Sequence, residues 1–221
     1  MRTSLLLGTR NPGKVKEITD ILADSGWRLC SLLEFEHVGV AEENADTYAD
    51  NAIAKARFYA AATDLWALAD DSGLEVEALG GAPGVLSARY AGENASDAGR
   101  RELLLSELAK TGETNRRARF VSVVAIAAPD GSILNISEGT CDGTITLAPR
   151  GDGGFGYDPL FIPAGYNQTF AELPEDIKNT ISHRAVALLK IKLFLGSLSS
   201  DPVNPDNPAI LYQLDQFRHG S

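Results

Sequence analysis

Two apolar segments, residues 118–128 and 132–140, are separated only by Pro129-Asp130-Gly131. A Pro-Asp-Gly stretch between two such segments is typical of a β-hairpin turn, in which neighbouring strands run antiparallel. This feature excludes a sheet made only of parallel strands. The remaining apolar segments alternate with helical patterns, as they do in α/β proteins. The sequence therefore predicts an α/β fold with a mixed sheet.

Helices are predicted where apolar residues recur every three or four positions, beginning near residues 11, 47, 94 and 183. Asp46 is the expected N-cap of the second helix, and Ser96 or Asn94 that of the third. The apolar run before Asp70 and Asp71 stops abruptly there. We therefore expect these two carboxylates at the end of a strand.

The chain carries 30 acidic and 20 basic residues, a net charge of -10. This charge repels polyanions and argues against a nucleic-acid partner. It does not exclude small phosphates, because a few lysines and a metal ion act within a screening length of about 8 Å. No apolar run approaches the roughly 20 residues of a membrane span, and the N-terminus lacks a secretory h-region.

We therefore expect a cytoplasmic protein with no membrane partner. Residues 1–199 are expected to form one domain. Residues 200–221 are rich in proline and asparagine in their first part and are expected to be a mobile tail.

The first candidate site lies between the first strand and the first helix, over residues 9–14. Free backbone N–H groups, a helix N-terminus and Lys14 would converge there, as the binding of a phosphate requires. The alternative is a plain turn followed by a helix cap.

The second candidate site is formed by acids in two separate segments, Glu42 with Glu43 and Asp70 with Asp71. Mg²⁺ prefers carboxylate oxygens together with the phosphates of a substrate, so two acids that meet at one point would serve it. Solvated surface is the alternative for any acid pair in so acidic a chain. Asp71 is the strongest candidate because of its expected place at a strand end.

Two further segments carry candidate ligand-binding residues. The glycine-rich residues 151–159 include Phe155 and Tyr157, expected to be exposed, and Phe155 could stack on a flat heterocycle. A flexible linker with both aromatic rings in the core is the alternative. Lys178 and residues 182–184 offer a cation, an imidazole and a guanidinium to a carbonyl or phosphate oxygen, unless they are simply surface.

Six motifs in this order resemble those of the pyrophosphatases of non-standard purine nucleoside triphosphates, the inosine triphosphatase or Ham1-like family. They are Thr9-Arg10-Asn11-Pro12-Gly13-Lys14, Asn51-Ala52-Ile53-Ala54-Lys55-Ala56, Ala69-Asp70-Asp71-Ser72-Gly73-Leu74, Gly80-Gly81-Ala82-Pro83-Gly84, Gly153-Gly154-Phe155-Gly156-Tyr157-Asp158-Pro159 and Ile181-Ser182-His183-Arg184. The resemblance covers residues 5–195 and is most specific in the third and fifth motifs.

The resemblance implies an elongated mixed sheet flanked by helices, with two lobes around a central nucleotide-binding cleft. It also implies a homodimer that requires Mg²⁺ and hydrolyses ITP, dITP or XTP to the monophosphate and pyrophosphate. Asp71 would accept the proton of the attacking water and, with Glu43, hold the metal. The implied substrate-binding residues are Thr9, Arg10, Asn11, Pro12, Gly13, Lys14, Lys55, Ser72, Phe155, Gly156, Tyr157, Asp158, Lys178, His183 and Arg184.

Two other functions remain open at this point. A Maf-type pyrophosphatase would act on modified pyrimidine nucleotides, although Ser182-His183-Arg184 favours a purine. A nucleotide-binding module without turnover would keep the basic residues but would not need the acid pair. The choice between Glu42 and Glu43 as metal ligand also stays open, as do the preferred substrate and the group that rejects the guanine 2-amino group.

Overall fold

The computed structural model describes residues 4–198, so the predicted tail at residues 200–221 lies outside the described residues. The strands and α-helices, in chain order, are β1 (Ser4–Leu7), α1 (Pro12–Leu22), β2 (Arg28–Ser31), α2 (Tyr48–Thr63), β3 (Trp66–Val76), α3 (Asp97–Thr111), β4 (Arg117–Ala127), β5 (Ile133–Ile145), β6 (Phe161–Pro163), α4 (Glu175–Ile181) and α5 (His183–Leu198). Among residues 4–198, no helix combines the length and the apolar character that crossing a membrane demands.

The strands form one sheet in the order β2-β1-β3-β4-β5-β6. β1 is parallel to both β2 and β3, whereas the pairs from β3 to β6 are antiparallel. The predicted mixed α/β sheet and the β4–β5 hairpin are therefore confirmed. β5 extends to Ile145, beyond its predicted end at residue 140. The two lobes stay a prediction.

β3 corrects one expectation, since the strand does not end at Asp70 and Asp71. It continues to Val76, because β4 pairs with it from Ala67 to Val76. β1 pairs with β3 only as far as Leu68, so beyond Leu68 one edge of β3 is free of β1. Successive side chains of a strand point to opposite faces of the sheet. The side chains of Asp70 and Asp71 therefore project from opposite faces of the sheet at this edge.

Each face of the sheet packs on different helices, and this decides which partners the two aspartates meet. One core cluster joins Leu68 and Val124 to α1 and α5, for example through Ile18 and Leu188. A second cluster joins the opposite face to α2. A third cluster surrounds the far ends of β3 and β4 and includes Leu104 of α3.

Side-chain caps fix where three helices begin. Asn11 caps α1, as residues 11–13 suggest, and Ser96, one of the two candidates, caps α3. The predicted Asp46 cap of α2 is wrong. Thr47 takes this place, with its Oγ1 accepting the Asp50 N–H at 3.0 Å, so the helix begins one residue later.

Candidate active site

A cavity of about 380 Å³ lies beside the free edge of β3, a size typical of small-molecule sites. Its wall comes from the β1–α1 loop, α2, the glycine-rich loop and the start of α5. The predicted site residues in this wall are Thr9, Arg10, Asn11, Lys14, Glu43, Lys55, Asp71, Ser72, Phe155, Gly156, Tyr157, Asp158, Lys178, His183 and Arg184. Residues distant in sequence are thus brought together.

The other two predicted residues, Pro12 and Gly13, line a neighbouring cavity of about 460 Å³. The Phe155 ring contributes to both walls. A Cβ atom on Gly13 would lie 2.4 Å from Cδ1 of Phe155, so only glycine allows the ring to pack against α1 here. Gly13 therefore acts by making room for Phe155.

The β1–α1 loop offers fewer free donors than the sequence suggests. The Asn11 side chain accepts the N–H groups of Gly13 and Lys14 at 2.9 and 3.2 Å. The expectation that these groups are free is wrong, because the helix cap already uses them. An anion here would meet the Lys14 side chain and the helix dipole. Arg10 donates to the Val38 carbonyl at 2.7 Å and thereby ties the loop to the segment before α2.

Asp71 faces α2, where it meets Lys55 and Asn51. Lys55 Nζ lies 3.2 Å from Asp71 Oδ1 and 3.1 Å from Glu43 Oε1. Asn51 donates to Asp71 Oδ2 at 3.1 Å. Burial raises the pKa of Asp71 above its ordinary value, partly offset by Lys55 and Lys14. Asp71 is therefore a carboxylate whose affinity for a proton is increased by its surroundings.

The two acids expected to hold a metal, Glu43 and Asp71, contact the same Lys55 Nζ atom. Glu42 is exposed and is bonded to Asn44 instead, so the structure favours Glu43 over Glu42 at the site. Within residues 4–198 no group of three or more His, Cys, Asp or Glu side chains is arranged to hold a metal. Two hard oxygen donors nevertheless suit Mg²⁺, which commonly takes its remaining ligands from water and substrate phosphates.

Asp70 points to the opposite face and is fully buried between Lys14 and Arg184. Its Oδ2 lies 3.0 Å from Lys14 Nζ and 3.1 Å from two guanidinium nitrogens of Arg184. Burial alone would raise the pKa of Asp70, but Lys14 and Arg184 outweigh it and hold the pKa well below its ordinary value. Within the described residues Asp70 Oδ1 has no hydrogen-bond partner.

Glu17 of α1 is a buried residue of the site that the sequence analysis missed. It accepts from Arg184 Nη1 and lies 2.7 Å from Lys178 Nζ, which also pairs with Asp158. Burial would raise the pKa of Glu17, but the two cations lower it overall. A signal existed, because Glu17 is four positions before Ile21 and therefore shares the apolar face of the helix.

The aromatic residues of the glycine-rich loop differ in exposure. Tyr157 is only 5% exposed and donates its hydroxyl to the Ser87 carbonyl at 3.0 Å, so the prediction that it is exposed is wrong. Phe155 is half-buried, with Lys178 Nζ 5.0 Å from its ring centre, a cation–π distance. Phe155 is thus the ring of this loop that remains accessible to a ligand.

His183 is buried at the start of α5 and stacks on Phe120, with the ring centres 4.5 Å apart. Burial, reinforced by Arg184 and Lys178, lowers its pKa well below the ordinary value. The imidazole is therefore neutral at pH 7. In the described part of the chain its Nδ1 atom has no hydrogen-bond partner.

The family resemblance is confirmed by comparison with known proteins. The Ham1 family model matches residues 5–194. A protein of Desulforamulus reducens named dITP/XTP pyrophosphatase is 50% identical over 194 residues, which cover 88% of this chain and 96% of the relative.

Two solved structures show the same fold. A HAM1 protein from Coxiella burnetii is 40% identical and superposes with a TM-score of 0.81, covering 88% of this chain and 99% of that chain. The Ham1 protein of Staphylococcus aureus is 38% identical with a TM-score of 0.77 at the same coverage. Sequence and structure agree, and the chain belongs to the Ham1 family.

Proposed function

We propose that this chain is a nucleoside triphosphate pyrophosphatase that converts ITP, dITP and XTP to the monophosphate and pyrophosphate and so cleanses the nucleotide pool. One observation carries the proposal: Asp71, Glu43 and three lysines converge on one cavity beside the free edge of β3. Relatives named dITP/XTP pyrophosphatase support dITP and XTP as substrates.

Glu43 and Asp71 are the proposed ligands of a Mg²⁺ ion, because their oxygens already meet around one cationic atom, Lys55 Nζ. When bound, the ion would neutralise phosphate charge. The protein supplies the rest of the compensation through Lys14, Lys55 and Lys178, which line the same cavity. Preorganised cations of this kind stabilise the charge that gathers on a departing pyrophosphate.

Asp71 is the proposed proton acceptor for the water that attacks the α-phosphorus. Its carboxylate is held by Asn51 and Lys55, and burial favours its protonated form. Both properties suit a general base, which needs a fixed position and a raised pKa. Asp70 cannot share this role, because its proton affinity is suppressed by Lys14 and Arg184.

Base recognition is assigned to Phe155 by stacking and to His183 and Arg184 by hydrogen bonds. Among residues 4–198, Arg184 directs four N–H groups to Glu17, Asp70 and Ser72 and keeps one further donor. A 6-oxo group of hypoxanthine or xanthine accepts from such donors. The 6-amino group of adenine would instead place a donor against the remaining Arg184 donor, which is costly in a buried site.

The test of this function is pyrophosphate release with Mg²⁺ from ITP, dITP, XTP, ATP and GTP and from modified pyrimidine nucleoside triphosphates. We expect specificity constants for the first three to exceed that for ATP by up to about 10⁴, the discrimination reached by sites built around hydrogen bonds. Comparable constants for ITP and ATP would contradict the roles of His183 and Arg184. Activity only on modified pyrimidine nucleotides would indicate a Maf-type enzyme, and binding without turnover a nucleotide sensor.

We further propose a homodimer in the cytoplasm, where the nucleotide pool is found. The family resemblance is what supports the dimer. Light scattering at micromolar concentration should give twice the monomer mass of 23.6 kDa. A monomer mass would contradict the dimer.

A further inference from the structure

The glycine-rich loop is held in place by the first turns of α3. Asp97 Oδ2 accepts the N–H of Gly156 at 2.7 Å, and Arg101 donates to the carbonyl of Gly156 at 2.7 Å. The backbone N–H and the backbone carbonyl of Gly156 are therefore both hydrogen-bonded to side chains of α3. Gly156 has a φ of 60°, in the left-handed region. Because glycine has no Cβ atom, its backbone can adopt many other conformations when these hydrogen bonds are absent.

The helix that makes these contacts is itself firmly placed. Leu104 and Leu108 anchor α3 in the third core cluster. Ser96 caps its first turn through the Gly99 N–H, and Arg100 donates to the Ala88 carbonyl at 2.8 Å. α3 can therefore act as a rigid support for the loop.

The position of Gly156 decides where the neighbouring Phe155 ring stands. Phe155 donates its N–H to Asp158 Oδ2 at 2.9 Å, and Asp97, Phe155 and Gly156 all line the main cavity. Without the bonds to α3, the loop would lose two of the contacts that order it. Ligand binding would then include the entropic cost of ordering this loop, and the affinity would fall.

We propose that Asp97 and Arg101 are positioning residues for base recognition, acting through Gly156 on the Phe155 ring. This inference rests on the proposed function. The reacting groups, Asp71 and Lys55, belong to β3 and α2 and make no hydrogen bond to α3. Loss of the α3 contacts should therefore affect substrate binding and base selectivity much more than kcat.

The test compares Asp97→Ala with Ser96→Ala. Asp97→Ala removes the acceptor of the Gly156 N–H and should raise KM for ITP about tenfold, the effect of one hydrogen bond to a charged group, and reduce the preference for ITP over ATP. kcat should change less than about threefold, because the catalytic groups are untouched. Ser96→Ala weakens the same helix start without touching Gly156, so KM should stay unchanged.

Two further variants sharpen the comparison. Asp97→Asn keeps an oxygen that can accept the Gly156 N–H. Its KM for ITP should therefore lie much closer to the parent value than the KM of Asp97→Ala. Arg101→Met keeps an unbranched side chain but has no N–H donor for the Gly156 carbonyl, and it should act in the same direction as Asp97→Ala. Equal KM changes in Ser96→Ala and Asp97→Ala, or an unchanged KM in Asp97→Ala, would overturn the proposal.

Amide hydrogen exchange of residues 153–158 provides a readout that does not depend on activity. Exchange should accelerate in Asp97→Ala and stay at the parent rate in Ser96→Ala. If the parent protein releases no pyrophosphate from ITP, the proposed function fails while this measurement still tests the support of the loop. If exchange in Asp97→Ala matches that of the parent, the positioning role fails even when the activity is confirmed.

Discussion

Asp71→Asn should lower the rate of pyrophosphate release from ITP by about 10²- to 10⁴-fold, the contribution typical of a general base. The amide keeps the shape of the carboxylate but takes no proton and carries no charge toward a metal. Binding of ITP should be largely retained, because the lysines of the cavity remain. Steady-state kinetics and calorimetric titration of ITP separate the two effects.

The control is Asp142→Asn, the same substitution at an exposed position of β5. It should leave both the rate and the affinity unchanged. Turnover by Asp71→Asn close to that of the parent, measured at saturating Mg²⁺, would remove Asp71 from the mechanism.

Asp70→Asn, one position away, should instead destabilise the fold by about 3–5 kcal/mol, the cost of removing one partner of a buried ion pair. Lys14 and Arg184 would lose the charge that compensates them. An amide that turns its oxygen toward these cations no longer carries the negative charge that the two of them share. Urea unfolding at pH 7 measures the loss.

Asp71→Asn is the matched control for the stability measurement. The fold lowers the pKa of Asp70, so its ionised form stabilises the fold above the unfolded-state value of about 3.9, and this contribution is lost as the pH falls below it. The fold raises the pKa of Asp71, so its ionised form is penalised at pH 7, and Lys55 keeps Glu43 as a partner when Asp71 is changed; Asp71→Asn should therefore cost much less stability than Asp70→Asn. Similar losses in the two variants, or a loss below about 1 kcal/mol in Asp70→Asn, would contradict this account.

The hairpin and the mixed sheet were predictable because their signals are local. The continuation of β3 through Asp70 and Asp71 was not, since two adjacent carboxylates ordinarily end a buried strand. They are accommodated because β4 pairs along the whole strand and basic side chains from α1, α2 and α5 neutralise them. Neither cause is visible in the segment itself.

The candidate site shows the same division. Sequence motifs indicated most of the residues that bind or react in the cavity, whereas residues that position those side chains, such as Glu17, Asp97 and Arg101, were missed. The position of Glu17 on the apolar face of α1 was a weak indication of its burial. The hydrogen bonds of Gly156 with Asp97 and Arg101, by contrast, join positions 59 and 55 residues apart. Pairings at that distance depend on the tertiary fold. α4 was also missed, a helix of seven residues whose start lacks a side-chain cap.

The ion pairs of the cavity have a consequence for competition among anions. Lys14, Lys55, Lys178 and Arg184 each already have a carboxylate partner. A small anion such as orthophosphate must displace such a partner and gains only the difference between two attractions, while one carboxylate is left uncompensated. A ligand that engages several of these cations at once, and also stacks its base, recovers that cost. We therefore expect the resting site to bind orthophosphate much more weakly than a nucleoside triphosphate.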